Sequence, residues 1–239
     1  MNSLRPLRLT LVICLALIAS MVRPAPAAAA TITWADWTSG ATGTVTGTAS
    51  GTLPGLGVSV SYLGEMRGFV GGEWLPTSSF IGGVVGNAPP NTGNAGIELI
   101  GTATAVVTDT ITFGTAVVDP VMAIWSLGQP GLAARFQFLP SEPFTIEAGG
   151  PNASFGGSSI FAGGACPANA VCGIEGNGVI RFIGTYSSIT WTNPIAENFY
   201  TFTVGATGTG TAVTPEPASL VLLGSGMAVA LARRRGRRA

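Results

Sequence analysis

Short runs of strict polar–apolar alternation, bounded by glycine, narrow what this 239-residue chain can become more than any other feature. In Val58-Ser59-Val60-Ser61-Tyr62-Leu63, the residues Val58, Val60 and Tyr62 fall on one side and the serines on the other, the period of a half-buried strand. The same pattern returns in Asp109-Thr110-Ile111-Thr112-Phe113, in Arg135-Phe136-Gln137-Phe138 and in Phe144-Thr145-Ile146-Glu147. Val121-Met122-Ala123-Ile124-Trp125 is apolar throughout, as a central strand is expected to be. Residues 178–205 hold three further runs, expected to be antiparallel neighbours. With 35 glycines to make turns and no long helical period in the body, the predicted class is all-β: an antiparallel β-sandwich with jelly-roll-like connections, formed as one domain by residues 31–205. The Thr-Gly passage at 42–51 is expected to be a surface strand. Its counterpart at 206–214 lacks large apolar residues and is expected to be a flexible linker. Residues 82–96 form the longest central loop.

Both ends differ in composition from this body. Arg5 and Arg8 precede an apolar run over residues 9–22, and small residues fill 25–30, so residues 1–30 are expected to be a secretory signal peptide. Cys14 is expected to leave with it, because Ile13 stands where a lipoprotein acceptor needs a small residue. At the other end Pro215, Glu216 and Pro217 precede an uncharged run over 218–232, followed by Arg233, Arg234, Arg235, Arg237 and Arg238. As a helix, that run is roughly 22 Å long against a hydrocarbon core of about 30 Å. Snorkelling arginines can make up part of the difference. Carrying the arginines across costs about 2.5–3.5 kcal/mol each at mid-membrane. The expected result is a C-terminal hydrophobic helix that stops export, with its arginines on the cytoplasmic side and the body across the inner membrane.

The order Pro-Glu-Pro, apolar stretch, Arg cluster over residues 215–239 resembles a PEP-CTERM sorting signal. The resemblance implies an exosortase as partner, a membrane-embedded transpeptidase-like enzyme that processes the tail near Pro215, Glu216 and Pro217, with the cell surface or an extracellular matrix rich in exopolysaccharide as destination. The body also resembles a recurrent exported domain found ahead of such tails, through residues 33–39, 120–128 and 175–191. That second resemblance implies a β-sandwich and no assigned activity.

Charge and missing residue types exclude much. Eleven basic and eleven acidic residues cancel over the whole chain, but residues 31–214 keep only Arg67, Arg135 and Arg181 against ten acids, a net charge of about −7. An acidic body repels phosphate backbones, so no nucleic acid is expected as partner. Histidine is absent, every basic residue is arginine, and catalytic triads, lysine nucleophiles and phosphate loops are thereby excluded. Paired carboxylates are the chemistry that remains, and a glycoside hydrolase could be built on them. The expected protein is nevertheless no enzyme, needs no cofactor, and is a surface or matrix component, with a carbohydrate-binding module as the alternative. For that alternative, Trp74 in Gly71-Gly72-Glu73-Trp74 is the candidate sugar platform. Trp34 and Trp37 should point to opposite faces, leaving one exposed, while Trp125 and Trp191 sit in core-like patterns. Cys166 and Cys172, six residues apart, are expected to close a small disulfide loop in an oxidising compartment, worth roughly 2–3 kcal/mol. Two thiols without histidine make no zinc site, and no metal is expected.

Overall fold

The computed structural model describes residues 28–99, 101 and 106–210. Among these the chain runs through β1 (Thr33–Trp34), β2 (Asp36–Ala41), β3 (Gly43–Leu53), β4 (Val58–Met66), β5 (Gly68–Val70), β6 (Gly96–Leu99), β7 (Thr108–Val118) and β8 (Val121–Leu127). It continues through β9 (Ala134–Phe138), β10 (Phe144–Gly149), β11 (Ser158–Ser159), β12 (Ala170–Gly173), β13 (Gly176–Phe182), β14 (Thr185–Thr192) and β15 (Tyr200–Ala206). The first sheet has the order β10-β13-β8-β15-β6-β5, with β1 added to β15 and β11 to β13. The second has the order β12-β9-β14-β7-β4-β3-β2. Pairing is antiparallel except at β11–β13.

The path is that of a jelly roll. Strands β6, β7, β8, β9, β12, β13, β14 and β15 give β6-β15-β8-β13 in one sheet and β7-β14-β9-β12 in the other, the double Greek key of that architecture. The hairpins β2–β3–β4 widen the second sheet, while β5 and β10 widen the first. The all-β sandwich expected from alternation is therefore present. The three runs of residues 178–205 are not neighbours, however. β13 and β15 each pair with β8 from opposite sides, whereas β14 belongs to the second sheet beside β7 and β9. Runs adjacent in sequence cross between sheets here, a topological choice that local periodicity does not encode.

Two apolar clusters stabilise the sandwich. The larger one lies between the sheets and is rich in aromatic rings: Phe136 packs against Trp191 at 5.7 Å, Tyr200 at 5.7 Å and Phe202 at 6.4 Å between centroids. The smaller one contains Val121, Ala123, Trp125 and Val179 of the first sheet together with Ile32, Trp34, Trp74, Phe80 and Val85. Residues 121–125 of β8 thus alternate between clusters, with Met122 and Ile124 in the larger and Val121, Ala123 and Trp125 in the smaller, which is why this run has no polar side; Leu127 joins the larger cluster after the positive φ of Ser126 breaks the phase. The long loop is fastened over this outer side by asparagines: Asn87 accepts from the Ile32 amide at 2.6 Å, Asn91 accepts from the Trp74 amide at 2.8 Å, and Asn94 donates to the Trp37 carbonyl at 3.0 Å.

Cys166 and Cys172 form the expected disulfide. The passage expected to be a free linker from residue 206 is docked at its start. Ala206 ends β15, Thr209 bridges to Val117, and the Gly210 amide donates to the Ala116 carbonyl at 2.7 Å. Backbone pairing needs no large side chain, so composition alone does not announce it.

Phe136 is fully buried among four aromatic partners. Phe136→Ala is expected to cost about 3–5 kcal/mol, measured as a lower urea midpoint at unchanged slope; an unchanged midpoint would show that the inter-sheet rings are not the source of stability.

Candidate functional site

Strand β4 breaks its alternation at its end, where Gly64, Glu65 and Met66 are all buried, and Glu65 is carried into the sandwich beside Asp109 of β7. Asp109 shares its inward side with Ile111 and Phe113. The two carboxylates are 1% and 0% exposed. They are joined by Asn193, whose Nδ2 lies 3.3 Å from Glu65 Oε1 and 3.2 Å from Asp109 Oδ2. Tyr200 of β15 donates its hydroxyl to Glu65 Oε1 at 2.6 Å, and the Gly101 amide donates to the same atom at 3.1 Å. Asp109 Oδ1 receives the Glu65 amide at 3.0 Å and lies 2.5 Å from the Tyr62 hydroxyl, which also contacts the Glu65 carbonyl. Gly64 is required by this approach, since a Cβ there would stand 2.0 Å from Asp109 Oδ1.

No guanidinium bonds to this cluster among the described residues: Arg67 pairs with Glu98 at 3.0 Å, and Arg181 with Glu147 and Asp119 at 2.9 and 3.2 Å. Its charge is balanced by hydrogen-bond donors and by protons. Burial pushes Asp109 up to about 7, with Glu65 adding repulsion and the Tyr62 hydroxyl opposing it. Burial likewise raises Glu65, against the donors Tyr200, Gly101 and Asn193. The Tyr62 hydroxyl stands between two acceptors, Asp109 Oδ1 and the Glu65 carbonyl, and its single proton serves one of them at a time. Nearby, Glu197 accepts the Gly128 amide at 2.7 Å, and burial, reinforced by Glu175, raises it to about 8. Glu175 itself takes the Ser126 hydroxyl at 2.5 Å, in a segment where Ser126 and Glu175 both adopt positive φ, 56° and 51°. Asn177 holds this corner by accepting the Ser126 amide at 2.8 Å and the Asn152 side-chain amide at 3.1 Å.

The structure places the sequence-predicted sugar residues in the core. Trp74 is 0% exposed and stands edge-on to Phe80 at 5.3 Å, so it presents no stacking face. Trp34 and Trp37 do point to opposite faces, but both are buried, one in each cluster; the sheet face that was expected to leave one of them in solvent is covered by the loop. Phe155 and Phe161 are exposed aromatics in their place. An open cleft of about 460 Å³ lies beside the disulfide, lined by Pro143, Phe144 and the 166–170 segment, without a charged side chain. Among the described residues, no three acids or cysteines gather as a set that could hold a metal ion.

Residues 213–238 match the family model described as the PEP-CTERM protein-sorting motif. The chain carries a PEP-CTERM sorting motif. This motif marks a protein for export and for sorting to the surface by an exosortase, a membrane enzyme. Pro215, Glu216, Pro217, the expected helix at 218–232 and the arginines Arg233, Arg234, Arg235, Arg237 and Arg238 lie outside the described residues, as do Cys14 and the expected signal peptide up to residue 27. Among the described residues no helix is long and apolar enough to cross a membrane. No curated protein and no solved structure matches the chain.

The raised carboxylates set a pH dependence whose sign follows from linkage. A carboxyl whose folded pKa exceeds its unfolded value binds its proton more tightly when folded, so stability is greatest at low pH and falls as pH rises through about 7 for Asp109 and about 8 for Glu197. The melting temperature is expected to drop by roughly 5–10 °C from pH 5 to pH 9. Asp109→Asn, which mimics the protonated form, should remove the part of that slope below about pH 7 that Asp109 contributes and leave the part due to Glu197; an identical slope in the variant assigns the dependence to other groups.

Proposed function

We propose that this PEP-CTERM protein is a non-catalytic component of the cell surface or extracellular matrix, sorted by an exosortase and associated with exopolysaccharide. The match at residues 213–238 carries the reading. On this reading the signal peptide starts export, and the apolar segment 218–232 with its arginines holds the chain in the inner membrane. Processing near Pro215, Glu216 and Pro217 then releases the body to its destination.

Three features support a structural role for the body. Histidine is absent and all basic residues are arginine, which leaves carboxylates as the acid–base groups of the exported part. The carboxylate pair bridged by Asn193, Glu65 and Asp109, is buried and already occupied by donors from four different segments, an arrangement that fixes the sheets and gives a substrate no entry. The tryptophans are spent on packing.

Glu216→Gln tests the sorting step in cells. The variant is expected to accumulate as the larger, unprocessed form in the inner-membrane fraction, with at least a tenfold loss of the surface form. Processing and destination equal to the parent's would remove the role assigned to Glu216.

A further inference from the structure

The two outer faces of the sandwich differ in kind. That of the first sheet lies under the long loop and the second apolar cluster. That of the second sheet is bare across five strands, and its cross-strand register lines up hydroxyls. Ser39 of β2 stands opposite Ser50 of β3, Ser50 opposite Ser61 of β4, Ser61 opposite Thr112 of β7, and Thr112 opposite Ser188 of β14. All five are exposed. Directly opposed residues project from the same side of a sheet, so this row extends over four interstrand gaps, about 19 Å at the usual strand spacing. The next row contains Leu63, opposite Thr110, whose hydroxyl lies 3.4 Å from that of Thr190.

Charge is missing from the hydroxyl row itself: β3 and β14 contain none, and the acids of β4 and β7, Glu65 and Asp109, point inward, which leaves Asp36 of β2, opposite Thr52, and Arg135 of β9 as the charges towards the two ends of this sheet. Exposed sheets ordinarily use charged side chains to stay soluble and unpaired. Protein partners prefer aromatic, Met and Arg side chains and avoid Ser, and Leu63 is the one large apolar residue in these two rows. A net charge of about −7 on the body repels polyanions. What remains complementary is an uncharged polymer that presents hydroxyls to hydroxyls, each able to donate and accept, with an aliphatic patch for its C–H faces.

We propose that the hydroxyl rows of the second sheet are a docking surface for a neutral polysaccharide chain lying across the strands. This deepens the exopolysaccharide association proposed above and rests on it. A pyranose ring and one interstrand gap are of similar length, so successive sugars meet successive hydroxyls, and many weak contacts along one chain add up to retention. Short side chains let the polymer come close to the sheet.

The test uses the purified full chain in a detergent without a sugar headgroup, passed over insoluble β-1,3-glucan, cross-linked dextran and alginate beads. The parent protein should be retained on a neutral polymer and not on alginate. S61R/T112E places an opposite-charge pair in the centre of the row and is expected to lose retention at least tenfold while keeping the parent's melting temperature; if it melts differently, Ser50→Lys carries the same test. Equal retention of parent and variant overturns the proposal, as does retention confined to alginate or none on either neutral polymer. A parent dimer in sedimentation that S61R/T112E dissolves, without glucan retention, assigns the face to a second copy and also overturns it. Binding of purified protein is independent of where cells send it, so retention together with failed Glu216-dependent processing would sink the sorting reading alone.

Discussion

The arrangement depends on one constraint: β8 is apolar on both sides, so the first sheet must be covered on both. The second sheet covers one side. The other is covered by Ile32, Trp34 and the segment containing Trp74, Phe80 and Val85, which is fastened by the side chains of Asn87, Asn91 and Asn94. Asparagine suits this task because one amide supplies both a donor and an acceptor; Asn87, for example, accepts from the Ile32 amide and donates to the Ile32 carbonyl at 3.1 Å. The cover buries Trp34, Trp74 and Trp125, three of the five tryptophans that could have served a sugar-binding groove. It also leaves the outer face of the second sheet uncovered by either apolar cluster among the described residues.

A second consequence concerns the buried acids. An exported β protein without lysine or histidine has few cations with which to neutralise interior carboxylates, and Arg67 and Arg181 are engaged with Glu98, Glu147 and Asp119. Glu65 and Asp109 are held by phenol, amide and backbone donors from β4, β15, the β6–β7 segment and the segment after β14. Such a network ties the sheets together only while its members are paired. Tyr62 and Tyr200 feel the reciprocal effect: burial and the adjacent carboxylates hold both phenols well above their ordinary value, so they act as donors across the physiological range.

Much of the fold was legible because strand period and burial coincide. Val58, Val60 and Tyr62 face inward and Ser59, Ser61 and Leu63 outward as alternation requires, and the doubly apolar run 121–125 is a central strand. Strand partners were not legible, since β13 and β14 differ in sheet although a single glycine turn separates them. The carboxylate cluster left one visible sign. Asp109 is in phase with Ile111 and Phe113, so the period that buries those side chains buries the acid too, and a charged group in that position must find partners. Its main partner, Glu65, lies 44 residues away and breaks the alternation of its own strand, so nothing local joined them. Trp74 misled for the opposite reason: a tryptophan among glycines reads as exposed, whereas here the glycine-rich loop is itself the cover.

The docked start of the tail links body and sorting motif more tightly than composition implies. Pairing of Thr209 with Val117 and of Gly210 with Ala116 fixes the exit point beside the end of β7. Five residue steps separate Gly210 from Pro215, and a fully extended chain covers at most about 17 Å in that number. Pro215 is therefore tethered close to the sandwich, whatever path the intervening residues take. An enzyme acting at this motif works within that distance of Gly210, at the end of the sandwich where β7 terminates. Steric access at that end, set by the hydrogen bonds of residues 209 and 210, is thus a property of the folded domain, and lengthening or undocking this tether changes how the motif is presented without altering the motif itself.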